Sequence, residues 1–103
     1  MVEKKNAQQW LKDNYEDKKT STTKIMVGEG IELGGELVID GYSSLEKVLL
    51  SFTKGITKIN FANCSNVKVI IVNDNQITEI KGLDSLTKLE KLNFGENQWV
   101  KMN

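Results

Sequence analysis

A nucleophile with a base beside it, or a cluster of oxygen ligands, would give this chain a chemistry of its own. Cys64 is the only cysteine and there is no histidine, so the thiol has no imidazole to activate it. No serine or lysine stands in a recognisable relation to a base. Tyr42, 22 residues before Cys64, occupies a slot of core type, which makes Cys64 a buried small hydrophobe. Glu29, Glu32, Glu36 and Asp40 could be imagined around calcium, which needs several oxygen ligands, but their loose spacing fits a solvated edge better. Residues 28–35 begin like a dinucleotide-binding loop, yet Leu33 stands where the third glycine is required and no long helix follows. They read as turn glycines. Asn73-Asp74-Asn75 lacks the rest of a calcium loop, and Asn63-Cys64-Ser65 satisfies the glycosylation pattern without a signal for secretion. The expectation is no catalytic residue, no metal and no cofactor; paired carboxylates across neighbouring segments are the one catalytic arrangement that spacing leaves open.

What organises the chain is a period. Leu37, Ile39, Tyr42, Leu45, Val48, Leu50, Thr53 and Ile56 return after 22 residues as Ile59, Phe61, Cys64, Val67, Ile70, Val72, Asn75 and, one place early, Ile77. A third pass gives Leu89, Leu92, Phe94, Asn97 and Trp99. A fixed period of roughly 20 to 50 residues means stacked supersecondary units. Each unit holds a short alternation, Val48 and Leu50, Ile70 and Val72, Leu92 and Phe94 facing inward. The returning half looks shorter and less regular, with Ile77, Ile80, Leu83 and Leu86 suggesting one turn of helix. Ile25 and Val27 form the strand of a degenerate first unit, one residue out of step.

Residues 6–16 read as a helix. Asn6 can cap it while Gln9 reaches back in a capping box. Ala7, Trp10, Leu11, Asn14 and Tyr15 share one face, the apolar ones suited to cover the open end of the first unit; docking into a partner groove is the competing use. Residues 17–24 form a solvated connection. The boundaries are 1–24 for the helical cap and its connection, then 25–103 for the repeats: a degenerate unit 25–44, regular units 45–66 and 67–88, and a partial unit 89–103.

Lysines and acids number 14 each, with no arginine, and they are interspersed. No basic stripe for nucleic acid is expected, nor does any segment approach the roughly 20 apolar residues that span a bilayer. The residues point to a soluble, cytoplasmic chain.

Val67-x-x-Ile70-x-Val72-x-x-Asn75-x-Ile77-x-x-Ile80 and Leu89-x-x-Leu92-x-Phe94-x-x-Asn97 resemble the leucine-rich repeat of the intracellular, 22-residue type. Leu45-x-x-Val48-x-Leu50-x-x-Thr53 matches in spacing, with threonine in place of asparagine and one residue inserted before Ile56. The segment from Asn6 to Leu11 is similar to the cap of fungal, L domain-like repeat proteins. The resemblance implies an α/β fold: a short right-handed solenoid with a parallel sheet on its concave face and an N-terminal capping helix. The asparagines then satisfy backbone groups where the strand turns, and Thr53 is a weaker rung.

By the same step the outward columns are Lys47, Val69, Lys91; Leu49, Ile71, Asn93; Ser51, Asn73, Gly95; and Phe52, Asp74, Glu96. Apolar Leu49, Val69 and Ile71 amid charged residues have the makeup of an interface centre with a polar rim. The expected function is a non-enzymatic protein-binding scaffold using Lys47, Leu49, Ser51, Phe52, Val69, Ile71, Asn73, Lys91 and Asn93. The alternative is a fragment or assembly element stacking end to end through an uncapped C-terminal edge, as a monomer or weak homo-oligomer. Trp99, Val100 and Met102 could instead fold over that edge.

Overall fold

Alternating apolar residues in every unit let each turn of chain place one strand on either side of a shared core. The computed structural model describes residues 3–97 and the backbone of 101–102. The elements are β1 (Glu3–Asn6), α1 (Ala7–Tyr15), a 3-10 turn (Glu16–Lys18), β2 (Lys24–Met26), β3 (Ile31–Asp40), β4 (Lys47–Leu49), β5 (Lys54–Ala62), β6 (Val69–Ile71), β7 (Glu79–Lys81), a 3-10 turn (Leu83–Ser85), β8 (Lys91–Asn93) and β9 (Lys101–Met102). They form two wholly parallel sheets, ordered β1-β3-β5-β7-β9 and β2-β4-β6-β8.

Ile25, Val48, Ile70 and Leu92 stand on successive rungs of the four-stranded sheet. The first step is 23 residues and the others 22, the offset that the sequence announces at Ile25. Opposite them, Leu37, Ile39, Ile56, Ile59, Phe61 and Ile80 close the core from the five-stranded sheet, all buried. Fully burying such a side chain contributes about 1.5–3 kcal/mol.

The return side departs from expectation. It carries the longest strands, β3 with 10 residues and β5 with 9, and only the third unit shortens to β7 and a 3-10 turn. A β-bulge hides the strand from a period-2 reading. Gly35 pairs with Ile56 and Glu36 with Lys58, leaving Thr57 as the extra residue, so Ile56 and Ile59 both point inward at a spacing of three. Gly82 opens the last turn at φ 86°, where a Cβ would run into the Phe61 carbonyl oxygen. The strands β4, β6 and β8 of the other sheet are three residues long. Rung-to-rung bonds nevertheless continue past their ends, from Leu50 N to Ile71 O at 2.9 Å and from Phe52 N to Asn73 O at 3.0 Å.

At the corner after each strand the backbone turns left-handed in a column: Gly30 (φ 77°), Phe52 (62°), Asp74 (62°) and Glu96 (58°). This corner strands carbonyl and amide groups inside the coil, and the next residue satisfies them. Asn75 Nδ2 donates to Leu50 O (2.9 Å) and Val72 O (3.2 Å), while its Oδ1 accepts from Ile56 N at 3.3 Å. Asn97 repeats the pattern, donating to Val72 O (3.0 Å) and Phe94 O (2.8 Å) and accepting from Ile77 N at 2.9 Å. Thr53 donates through its hydroxyl to Asn75 Oδ1 and has no amide to give. At its rung the backbone carbonyl accepts from Leu33 N at 3.0 Å in place of a side-chain oxygen.

The N-terminal end is sealed by polar side chains as well as apolar ones. Ala7, Trp10 and Leu11 are buried against the first rungs, with Tyr15 edge-on to Trp10. Asn6 Oδ1 caps the helix by accepting from Gln9 N at 3.0 Å; the Gln9 side chain goes forward to Asp13 at 2.8 Å and not back, so the capping box is half made. Asn14 is exposed and bonds to Trp10 O, not a member of the buried face. β1 is wholly exposed and pairs with β3 through backbone alone, which is why residues 3–6 gave no apolar signal. Where β1 ends, the Gln8 amide takes over the edge of β3, accepting from Val38 N (2.6 Å) and donating to Val38 O (3.2 Å). The Tyr15 hydroxyl does the same for β2, accepting from Met26 N and donating to Met26 O, both at 3.2 Å. Open edges invite pairing with other chains. The expected cover from Trp99, Val100 and Met102 lies outside the described residues; only the backbone of 101–102 is seen, paired with β7.

Replacing Asn75 by Ala removes the side-chain acceptor of Ile56 N and a donor to the carbonyls of Leu50 and Val72 in the core. We expect a loss of about 1–3 kcal/mol in urea unfolding, and a smaller loss for Asn97→Ala, whose site is only half-buried.

Candidate functional site

Side chains alternate along a strand, so each inward residue of the four-stranded sheet leaves its neighbours on the outer face. Two rows result. One is Lys24, Lys47, Val69 and Lys91; the other is Met26, Leu49, Ile71 and Asn93. Adjacent strands lie about 4.8 Å apart, so Met26, Leu49 and Ile71 form one apolar stripe across the strands. Met26 is 52% exposed, and Leu49, Val69 and Ile71 are half-buried. Lys24 and Met26 were not among the residues expected here. A step of 22 from Leu49 leads back to Val27, and only the one-residue offset of the first unit, visible in the sequence at Ile25, puts Met26 in line.

Ser51 and Asn73 lie past the strand ends, joined by a bond from Ser51 Oγ to Asn73 Oδ1 at 3.4 Å. Phe52 is not an outward strand residue but the left-handed corner itself, 64% exposed. It overhangs a shallow cleft of about 320 Å³ whose apolar wall is Val27 and Ile31. Asp74 and Glu96 occupy the same corner on later turns, Asp74 with Lys54 Nζ at 4.0 Å.

The charges on the two sheets are arranged differently. Across the outer face of the five-stranded sheet, Glu36, Lys58 and Glu79 are in register and alternate in sign, with Lys58 Nζ 3.6 Å from Glu36. On the four-stranded sheet Lys24 stands directly beside Lys47, and neither they nor Lys91 has an ion pair among the described residues. Glu46, next to Lys47 in the chain, is taken by Lys68 at 3.7 Å.

The residues considered for chemistry have other places. Cys64 is buried, donating to Ala62 O at 3.0 Å with Ile39 O at 3.3 Å. Burial pushes its thiol pKa up, and backbone hydrogen bonds offset this only in part. Gly28 and Gly30 precede β3, whereas Gly34 and Gly35 lie within it and pair with its neighbours instead of forming a turn; none presents a helix N-terminus. Among the described residues no three cysteines or carboxylates converge as metal ligands, so Glu29, Glu32, Glu36 and Asp40 are not gathered. Tyr42 is 1% exposed and its hydroxyl has no hydrogen-bond partner, although Lys19 Nζ lies 5.4 Å from the ring centre. Burial, with Glu16, Cys64 and Tyr15 adding to it, raises its pKa from 10.0 to about 12.

No helix of the described residues is long and apolar enough to cross a membrane. Residues 65–102 match the family model for leucine-rich repeats, in two copies. No curated protein and no solved structure matches the chain.

Two titration experiments test these surroundings. Because it is buried and its pKa is raised, native Cys64 should react with a thiol reagent at pH 8 more slowly than in the urea-unfolded chain. Tyr42 stays protonated in the fold to higher pH than when unfolded, so the unfolded state loses the proton first and stability falls as pH rises from 10.0 toward 12. Tyr42→Phe removes an unpartnered hydroxyl; melting should show a gain of up to about 1 kcal/mol near neutrality, and a weaker decline in alkali.

Proposed function

Because this chain is a leucine-rich-repeat protein, and such domains are in general non-catalytic protein-interaction modules, we propose that it binds a protein through the outer face of its four-stranded sheet. The observation that carries this reading is the stripe Met26, Leu49 and Ile71, in register and facing outward. Strand propensity accounts for β-branched Val69 and Ile71. It does not account for Met26, Leu49 or the Phe52 corner. The matching face of the other sheet has Val38, Asn60 and Lys81 as neighbours of its Glu–Lys ladder and offers no comparable stripe. An apolar centre rimmed by Lys47, Lys91, Asn73 and Asn93 is the layout of a small interface.

Head-to-tail stacking of copies would require the N-terminal edge, where Gln8 and Tyr15 occupy the backbone groups of Val38 and Met26 while the outer edge of β1 pairs with nothing among the described residues. The same proposal places the chain in the cytosol, where a buried free thiol such as Cys64 remains reduced.

Three single variants test the face. Met26→Glu, Ile71→Glu and, as a control on the opposite sheet, Val38→Glu would be compared with wild type in quantitative affinity capture, with melting measured alongside. Exposed Met26 and Val38 should change stability by no more than about 0.5 kcal/mol. Partners lost with both Met26→Glu and Ile71→Glu but kept with Val38→Glu support the proposal; an unchanged partner set in a folded Met26→Glu chain contradicts it.

A further inference from the structure

The protein-binding face just proposed carries uncompensated positive charge, and that charge and the spacing of the stripe say what kind of surface fits it. Like charges directly across a strand pair are unfavourable. The five-stranded sheet avoids them with its alternating ladder of Glu36, Lys58 and Glu79. The four-stranded sheet sets Lys24 opposite Lys47 and adds Lys91 to the same row, all exposed and none ion-paired among the described residues. One molecule thus neutralises one sheet and leaves the other charged, with the charged row running alongside the apolar stripe. Carboxylates supplied by a partner would complete it.

Spacing selects the partner's conformation. From Met26 to Ile71 is two rungs, about 9.6 Å. Apolar residues at i and i+7 of an α-helix are about 10.5 Å apart along its axis. In an extended peptide, residues i and i+4 on one face span about 13 Å and fall out of step within the stripe. The lysine row lies two residues to one side, about 6.6 Å along the strands, within reach of the flank of a helix about 10 Å in diameter.

We infer that the occupant of this face is an amphipathic helix lying across the strands, its apolar ridge on Met26, Leu49 and Ile71 and an acidic flank against Lys24, Lys47 and Lys91. Phe52 closes the far side of the seat as an aromatic stop.

The test is selection of a displayed random-peptide library against the full chain. Selected peptides should carry apolar residues at i, i+3 or i+4, and i+7 beside aspartates and glutamates, and should become helical on binding by circular dichroism. Their affinity should fall about tenfold or more in the Lys24→Glu, Lys47→Glu, Lys91→Glu triple variant and return when the peptide acids are exchanged for lysine. Lys47→Glu alone should weaken binding while leaving the melting temperature unchanged or higher, since it removes the clash with Lys24. Peptides that depend on Ile71 but ignore lysine reversal would overturn this inference and leave the protein-binding face standing. If no selected peptide depends on Ile71, both readings fall. Duplex DNA or phosphatidylserine vesicles bound through the lysines, with no acidic peptide selected, would overturn the helix in favour of another polyanion.

Discussion

Each turn of this coil leaves a corner where carbonyl and amide groups point into an apolar interior, and the rest of the structure depends on how those groups are satisfied. An asparagine does it where it can, because one amide both donates to two turns of backbone and accepts from the return strand. Asn75 ties Leu50, Val72 and Ile56 together, and Asn97 ties Val72, Phe94 and Ile77. Successive turns are thereby locked at the same height, which is what lets Val48, Ile70 and Leu92 stack. The left-handed residue before each rung is part of the same device. It turns the chain sharply enough to bring the side-chain amide inside, and at Phe52 it also throws an aromatic ring outward.

Because the core is shared between turns, its ends are the exposed part of the design. At the N-terminal end apolar cover comes from Ala7, Trp10 and Leu11, and backbone cover from Gln8 and Tyr15, whose side chains substitute for a neighbouring strand. That closure directs attention to the sheet faces. One face balances its charges rung by rung. The other sets lysines that have no ion pair among the described residues beside an apolar stripe.

Much of the fold was legible in the residues. The 22-residue step placed the inward positions of the four-stranded sheet and identified Asn75 and Asn97 as structural, since apolar recurrence and an amide at a fixed place are both local signals. The return sheet was not legible, because the bulge at Thr57 breaks period-2 alternation and makes a strand look irregular. β1 left no trace, having only backbone to contribute. On the candidate face, Leu49, Val69 and Ile71 followed from the step, whereas Met26 and Lys24 joined only through the offset of the first unit.

By itself, then, the sequence determined that this is a stacked coil, which residues face inward and where the asparagine rungs fall, because those properties repeat at fixed intervals along the chain. Only the tertiary structure decided that the return side is a second sheet, that Gln8 and Tyr15 occupy the edge groups of Val38 and Met26, and that Lys24, Lys47 and Lys91 share a row without ion pairs among the described residues. Those outcomes depend on the register between turns, and register is settled by packing and hydrogen bonding across distances that no local pattern records.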